Sequence, residues 1–175
     1  MKIKIILLFY FILLISCDDD DLTKINDDGT GGISCLVDGE LLRPSGGGIY
    51  GNSRIRLDNH SDNTPFILIS FTNASEKYNG FANVFLIANN VDKNNLVGQK
   101  FLLTHEDDNH SESYAVFRKN EFDNSYHTNS NYTGEITFTY FDDEKFIFSG
   151  TFWFDAINQD GEIVKVRDGR FDLGM

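Results

Sequence analysis

Apolar and polar residues alternate strictly along the last third of the chain. Between positions 145 and 156 the sequence reads KFIFSGTFWFDA, in which each even-numbered residue from Phe146 to Ala156 is apolar or glycine. A period of two places these residues on one face of a β-strand and leaves Trp153 on the other face. The run from Gly134 to Tyr140 alternates in the same way. Two half-buried strands are therefore predicted here.

The turn between these two strands must bring their apolar faces together, because a slip of one residue would turn every aromatic side chain outward. A three-residue loop at 142–144 meets this condition. It pairs Tyr140 with Phe146 and Phe138 with Phe148.

The turn that follows the second strand can have two lengths. A two-residue Asp-Gly loop would set Phe154 opposite Arg167, whereas a three-residue loop that ends on Gly161 pairs Phe154 with Val166. We expect the second arrangement, because it keeps apolar residues together. The apolar positions change from even to odd numbers after Val166, and this change predicts a β-bulge at Asp168-Gly169.

Shorter apolar runs upstream predict further strands, separated by loops rich in Asn, Asp and Gly. The run at 81–91 also carries apolar residues at helical spacing, but we predict a strand because its neighbours are strands. The candidate strands lie at 33–37, 54–57, 66–71, 81–91, 97–103 and 113–117. With the C-terminal runs they give eight or nine strands. The predicted fold is all-β, either an antiparallel β-sandwich or a flattened meander barrel.

The N-terminal residues have the layout of a secretory signal. Two lysines precede an apolar run at 5–15, which is too short for a membrane-spanning helix of roughly 20 residues. The run ends in Leu14-Ile-Ser-Cys17, which resembles the lipobox of bacterial lipoproteins. The resemblance implies cleavage before Cys17 and attachment to membrane lipid through its acylated thiol and amino group. The chain then divides into a signal peptide at 1–16, a lipidated cysteine with a flexible acidic tether at 17–32, and one β domain at 33–175.

Four consecutive aspartates, Asp18 to Asp21, follow the cysteine. They resemble an inner-membrane retention signal of enterobacterial lipoproteins, and also a surface-export signal of lipoproteins from the Bacteroidota. A solvated spacer is a third interpretation. The chain is rich in Asn, Asp, Lys, Ile and Phe and poor in Pro. This composition favours the resemblance to lipoproteins of the Bacteroidota. We therefore expect an anchor in the outer membrane of the cell envelope, with surface exposure of the domain as an open alternative.

The C-terminal motifs carry a further family resemblance. The segments YTGEITFTYF at 132–141, FSGTFWFDA at 148–156 and VRDGRF at 166–171 resemble the ends of small uncharacterised lipoproteins of the Bacteroidota. The resemblance covers the lipobox and about the last 45 residues, and more weakly the Val37-Asp-Gly39 start. The chain departs from that pattern where Phe138-Thr-Tyr replaces Ile-Thr, and where no Trp follows Glu40. The resemblance implies a fold and a location, but no activity.

The charge of the chain restricts its partners. The formal charge is −12. Cleavage before Cys17 would remove Lys2 and Lys4 and leave −14. Such a surface repels phosphate backbones and anionic headgroups alike, so nucleic acid is excluded as an expected partner. Attachment to a membrane must therefore depend on the acyl chains expected on Cys17.

Cysteine use gives no catalytic candidate. If Cys17 carries lipid, Cys35 is the only remaining cysteine, and no intramolecular disulfide can form. Cys35 lies in the apolar run 33–37, which predicts a buried structural thiol. No neighbouring base would activate it.

The densest group of metal-ligating residue types lies at 105–112. Carboxylates and imidazoles of this kind could hold Ca²⁺ or Zn²⁺, although the spacing matches neither an EF-hand loop nor the HExxH motif. A solvated loop is the expected interpretation, and no cofactor is predicted. The weak candidate ligands are His105, Asp107, Asp108, His110 and Glu112.

Three functions remain open from the sequence. The first is non-enzymatic binding of a glycan, a small apolar ligand or an envelope protein. The second is a small hydrolase that uses a carboxylate pair or a metal, and the third is a structural envelope component. Trp153 on the outer face could stack on a sugar, but packing against a second layer or the tether is its expected role.

Overall fold

A computed structural model of the protein describes residues 21–46, 52–74, 80–120 and 125–175. The predicted signal peptide, Cys17 and the first three aspartates lie outside the described residues. Eleven strands and one 3-10 turn at Lys93–Asn95 make up the regular structure of the described part. The strands are β1 (Gly32–Val37), β2 (Glu40–Leu42), β3 (Ser53–Asn59), β4 (Pro65–Asn73), β5 (Ala82–Asn89), β6 (Lys100–Leu103), β7 (Tyr114–Lys119), β8 (Ser125–His127), β9 (Gly134–Asp142), β10 (Ile147–Ile157) and β11 (Ile163–Gly174).

The strands form one antiparallel sheet. Nine of them follow the order β2-β1-β11-β10-β8-β7-β5-β4-β3, and β9 and β6 branch from β10. The sheet curls into a half-barrel, so that one face is enclosed and the other faces outward. The predicted all-β antiparallel fold is confirmed. The strand at 81–91 is confirmed too, because β5 pairs with β4 on one side and with β7 on the other.

The predicted turn between β10 and β11 is confirmed. Phe154 pairs with Val166, and Gly161 adopts a positive φ of 82° in the turn. The bulge is also present at the predicted place: the register shifts opposite Trp153, and Asp168 adopts a φ of 52°. A non-glycine residue with this backbone conformation is uncommon outside turns and bulges.

The predicted register between β9 and β10 was wrong. Phe138 pairs with Gly150 rather than with Phe148, and the loop is longer than three residues. The Asp142 carboxylate explains the wider turn, because it accepts hydrogen bonds from the backbone N–H groups of Glu144 and Lys145 at 3.0 and 2.9 Å. A register shift next to Phe138 then returns the aromatic residues to the enclosed face.

Aromatic side chains fill the enclosed face. Phe138 lies at the centre of three edge-on ring contacts, with ring centroids 5.8 Å from Phe101, 6.5 Å from Phe148 and 5.6 Å from Phe171. Edge-to-face packing is one of the two arrangements that aromatic pairs prefer. Cys35 is fully buried in the same core, as predicted.

Residues 22–31, which we call the strap, lie on the outer face of β1, β11 and β10. They are part of the segment for which the sequence predicts a tether. Backbone N–H groups of the strap donate hydrogen bonds to Ser34 and Asp172 on that face. Leu22 is 7% exposed. The strap therefore covers the outer face around Ser149 and Asp172, which are fully buried, and leaves Trp153 in the open part of that face exposed.

No helix among the described residues is long and apolar enough to cross a membrane.

Candidate functional site

The open part of the outer face contains a groove of about 370 Å³. We call it the Trp153 groove, because the indole ring of Trp153 forms its apolar wall. Trp153 is 40% exposed in the described part of the chain. The expectation that this ring packs against a second layer or the tether is therefore wrong there. The groove is lined by Thr151, Phe152, Trp153, Arg167, Asp168, Gly169 and Arg170.

The β-bulge in β11 shapes this groove. Phe152 pairs with Gly169 and Phe154 with Val166, so that Trp153 faces two residues of β11 instead of one. Gly169 is required at this point, because a Cβ atom there would lie 2.6 Å from the ring of Phe152. The bulge thus widens the outer face beside Trp153, while the inner face stays closely packed.

Arg167 is held in a fixed position against the indole ring. Its guanidinium carbon lies 5.5 Å from the centroid of Trp153, within the range of a cation–π contact. The guanidinium donates hydrogen bonds to the carbonyl oxygens of Phe154 (3.1 Å) and Val166 (2.8 Å) and to the carboxylate of Asp155 (2.5 Å). These three bonds fix the guanidinium, and the Asp155 carboxylate balances its charge. The indole ring is therefore supported before any ligand binds.

A row of outward side chains extends the site across the sheet. Glu135 of β9 lies between Leu102 of β6 and Trp153 of β10 in the strand pairing. Leu102 is 59% exposed, and the Lys100 ammonium lies 3.0 Å from a carboxylate oxygen of Glu135. The face therefore combines exposed apolar side chains with paired charges. Exposed aromatic and apolar side chains with a few polar groups beside them are typical of ligand sites.

The candidate metal ligands at 105–112 serve their own loop instead of converging. Asp107 accepts hydrogen bonds from the Ser111 hydroxyl (2.7 Å) and the Glu112 backbone N–H (3.1 Å). These bonds hold the pKa of the Asp107 carboxyl below its ordinary value. The Glu112 carboxylate accepts from the Thr104 hydroxyl at 2.6 Å.

His110 points away from this loop, towards the turn between β3 and β4. Its ring stacks on His60 with centroids 3.7 Å apart, and its Nδ1 lies 3.3 Å from the carboxylate of Asp62. Hydrogen bonds from Thr64, reinforced by His110, lower the pKa of Asp62 to about 2. Neither His105 nor Asp108 joins them in a ligand set: in the described part of the chain, no three His, Cys, Asp or Glu side chains lie together as a metal site.

Cys35 is a structural residue in this fold. It is completely buried, and burial raises the pKa of its thiol well above the ordinary value. A thiol that stays protonated at neutral pH is a poor nucleophile.

Sequence reasoning placed Trp153 outward and the bulge at Asp168-Gly169, but it missed the groove that the two features form together. The change of the apolar positions from even to odd numbers after Val166 was the signal that could have indicated the groove. The support of the indole ring by Arg167 depends on pairing across the bulge, and no sequence motif marks it.

No family model matches the chain, and no curated protein and no solved structure matches it.

Proposed function

We propose that the chain is a lipid-anchored protein of the bacterial cell envelope that binds a sugar residue in the Trp153 groove. The observation that carries the binding proposal is the exposed indole ring, supported by the guanidinium of Arg167 at 5.5 Å. The lipobox at 14–17 carries the anchor, and the composition favours the outer membrane.

The chemistry of the groove suits a sugar. One face of a pyranose ring consists of C–H groups and packs on an indole, while its hydroxyl groups need both donors and acceptors. Thr151, Asp168 and Arg170 provide these beside the ring. Because Asp155 balances the charge of Arg167, the groove favours a neutral sugar over a strongly charged ligand.

The binding proposal is tested on the full-length protein purified in detergent and applied to an array of glycans. We expect one class of sugar to bind, and Trp153→Ala to weaken binding at least about tenfold, the effect of losing roughly 1.4 kcal/mol of contact energy. Trp153→Phe should retain part of the affinity, because a smaller aromatic ring remains. Phe146→Ala is the matched control, since Phe146 is exposed to a similar degree, 41%, outside the groove. An array on which no glycan binds, or on which Trp153→Ala binds as well as wild type, refutes the proposal.

The anchor has its own test. Mass spectrometry of the mature protein should find Cys17 as the first residue, with the added mass of its acyl chains. Cys17→Ala should keep the signal peptide and lack this mass. An unmodified Cys17 in a processed chain would exclude the lipid anchor.

A further inference from the structure

The strap is fixed to the domain by a buried carboxylate. The Asp172 side chain is fully buried and accepts hydrogen bonds from the backbone N–H groups of Asn26 (3.1 Å) and Gly29 (2.9 Å) and from the Ser149 hydroxyl (3.0 Å). Charge-assisted bonds of this kind are stronger than those between neutral groups. The chain from Thr23 onward therefore moves with the sheet.

The strap begins beside the Trp153 groove. The Thr23 backbone N–H donates a hydrogen bond of 2.7 Å to the Ser34 hydroxyl. Ser34 pairs across the sheet with Arg170, which lines the groove. Neighbouring strands lie about 5 Å apart, so Thr23 and the rim of the groove are close together on one face.

This position limits the distance between the groove and a lipid on Cys17. Six residues lead from Cys17 to Thr23. Fully extended, they span at most about 20 Å. If Cys17 carries lipid, as proposed above, then the groove cannot move far from the membrane surface. Thr23 is the point at which this connection meets the domain, and the open outer face lies beside it.

The composition of this face suits a headgroup layer. Trp side chains are enriched at membrane interfaces, where the ring lies among the headgroups, and exposed Leu102 lies in the same row. Although the chain carries a formal charge of −12, this face carries charges of both signs. Lys100 and Arg167 pair with Glu135 and Asp155. Lys165, Arg170 and Asp168 lie beside them, and the strap adds Lys24, Asp27 and Asp28. Long basic side chains can rest on apolar surface and direct their charges to phosphate groups.

We propose that the outer face around Trp153 lies on the headgroup layer of the membrane that holds the anchor, so that the sugar it binds is carried by a lipid of that membrane. The strap and the short connection to Cys17 produce this orientation. The inference rests on the lipid anchor of the proposed function and adds the orientation of the domain and the source of the ligand.

The orientation is measured by fluorescence, because Trp153 is the only tryptophan of the chain. The full-length lipidated protein is reconstituted into phospholipid vesicles with and without a lipid that carries a nitroxide on its headgroup. The nitroxide quenches only by close approach. We expect it to reduce the emission of Trp153 by at least half.

A variant with the tryptophan at the other end of the sheet serves as the matched control. Arg54 is an exposed residue of β3, the strand at the end of the sheet order away from β1, β11 and β10. In the double variant Trp153→Phe with Arg54→Trp, the emission should stay nearly constant when the nitroxide lipid is present. A third variant carries 20 Gly and Ser residues between Asp21 and Leu22, which add about 25 Å of average reach. Its Trp153 should be quenched less than in wild type.

The possible results separate the two proposals. Anchored protein in which Trp153 is not quenched, or in which the two tryptophan positions are quenched equally, overturns the orientation and leaves sugar binding intact. Protein that does not stay with the vesicles overturns the anchor, and the orientation fails with it. A glycan array without any bound sugar refutes the proposed ligand independently of both results.

Discussion

Asp172 provides the sharpest test of the fold, because one side chain joins the strap to the sheet. Replacing it with alanine leaves two backbone N–H groups and the Ser149 hydroxyl without their acceptor. Each lost hydrogen bond to a charged group costs about 1.5–3 kcal/mol. The losses are not additive, because a released strap can form hydrogen bonds with water instead. We therefore expect Asp172→Ala to destabilise the protein by about 3–5 kcal/mol, a large part of the 5–15 kcal/mol typical of a folded protein.

Urea unfolding followed by Trp153 emission measures this effect. With a slope of about 2 kcal/mol per molar urea, the midpoint should fall by about 2 M. Asp160→Ala is the matched control, because Asp160 lies in the exposed turn between β10 and β11 and should change stability by less than about 0.5 kcal/mol. Amide hydrogen exchange adds a local measurement: the N–H groups of Asn26 and Gly29 should be protected in wild type and exchange freely in Asp172→Ala. Equal midpoints for the two variants, or unprotected amides in wild type, would refute the role of Asp172.

Three further predictions concern packing, the thiol and acid stability. Gly150→Ala should destabilise the protein by about 1–3 kcal/mol in urea unfolding, because its Cβ would collide with Thr137 and lie 2.6 Å from the Phe171 ring; a loss under about 0.5 kcal/mol would contradict this packing. Cys35 should resist alkylation in the native protein and react fully in urea, and rapid native labelling would show that the thiol is accessible. The pKa of Asp62 is lowered to about 2 from an ordinary value of 3.8, so its contribution to stability is present above about pH 4 and is lost as the pH falls towards 2. The difference in melting temperature between wild type and Asp62→Asn should therefore shrink over this range, and a constant difference would disprove the assignment.

The sequence predicted the strands best where one side of the sheet is enclosed. Strict alternation from Phe148 to Ala156 marks β10, and the same requirement that apolar residues meet selected the correct pairing of Phe154 with Val166. The same requirement selected the wrong pairing at the turn between β9 and β10. A wide loop combined with a bulge near Phe138 satisfies it as well as a short loop without a bulge, and the capping role of Asp142 decides between them.

The strap and the short strands could not be predicted, for different reasons. The strap is held mainly by backbone N–H groups that reach a carboxylate more than 140 residues away in the sequence, and such bonds leave no periodic pattern. The short strands β2 and β8 have three residues each, which is too few to show an alternation. The β1–β2 hairpin depends on Asp38 and Gly39, both with positive φ, and the Asp-Gly pair was its only local signal.

The groove at Trp153 is tested most directly by the indole N–H resonance of this residue. A chain with one tryptophan gives one such peak in a nitrogen–proton spectrum, so its assignment needs no further experiment. The spectrum is recorded on the full-length protein in detergent while a panel of neutral sugars is added. We predict that a bound sugar shifts the indole peak together with the backbone peaks of Asp168 and Arg170, and leaves the 158–162 turn unchanged. An indole peak that stays in place with every sugar, or shifts that occur only at other positions, would contradict the proposed site.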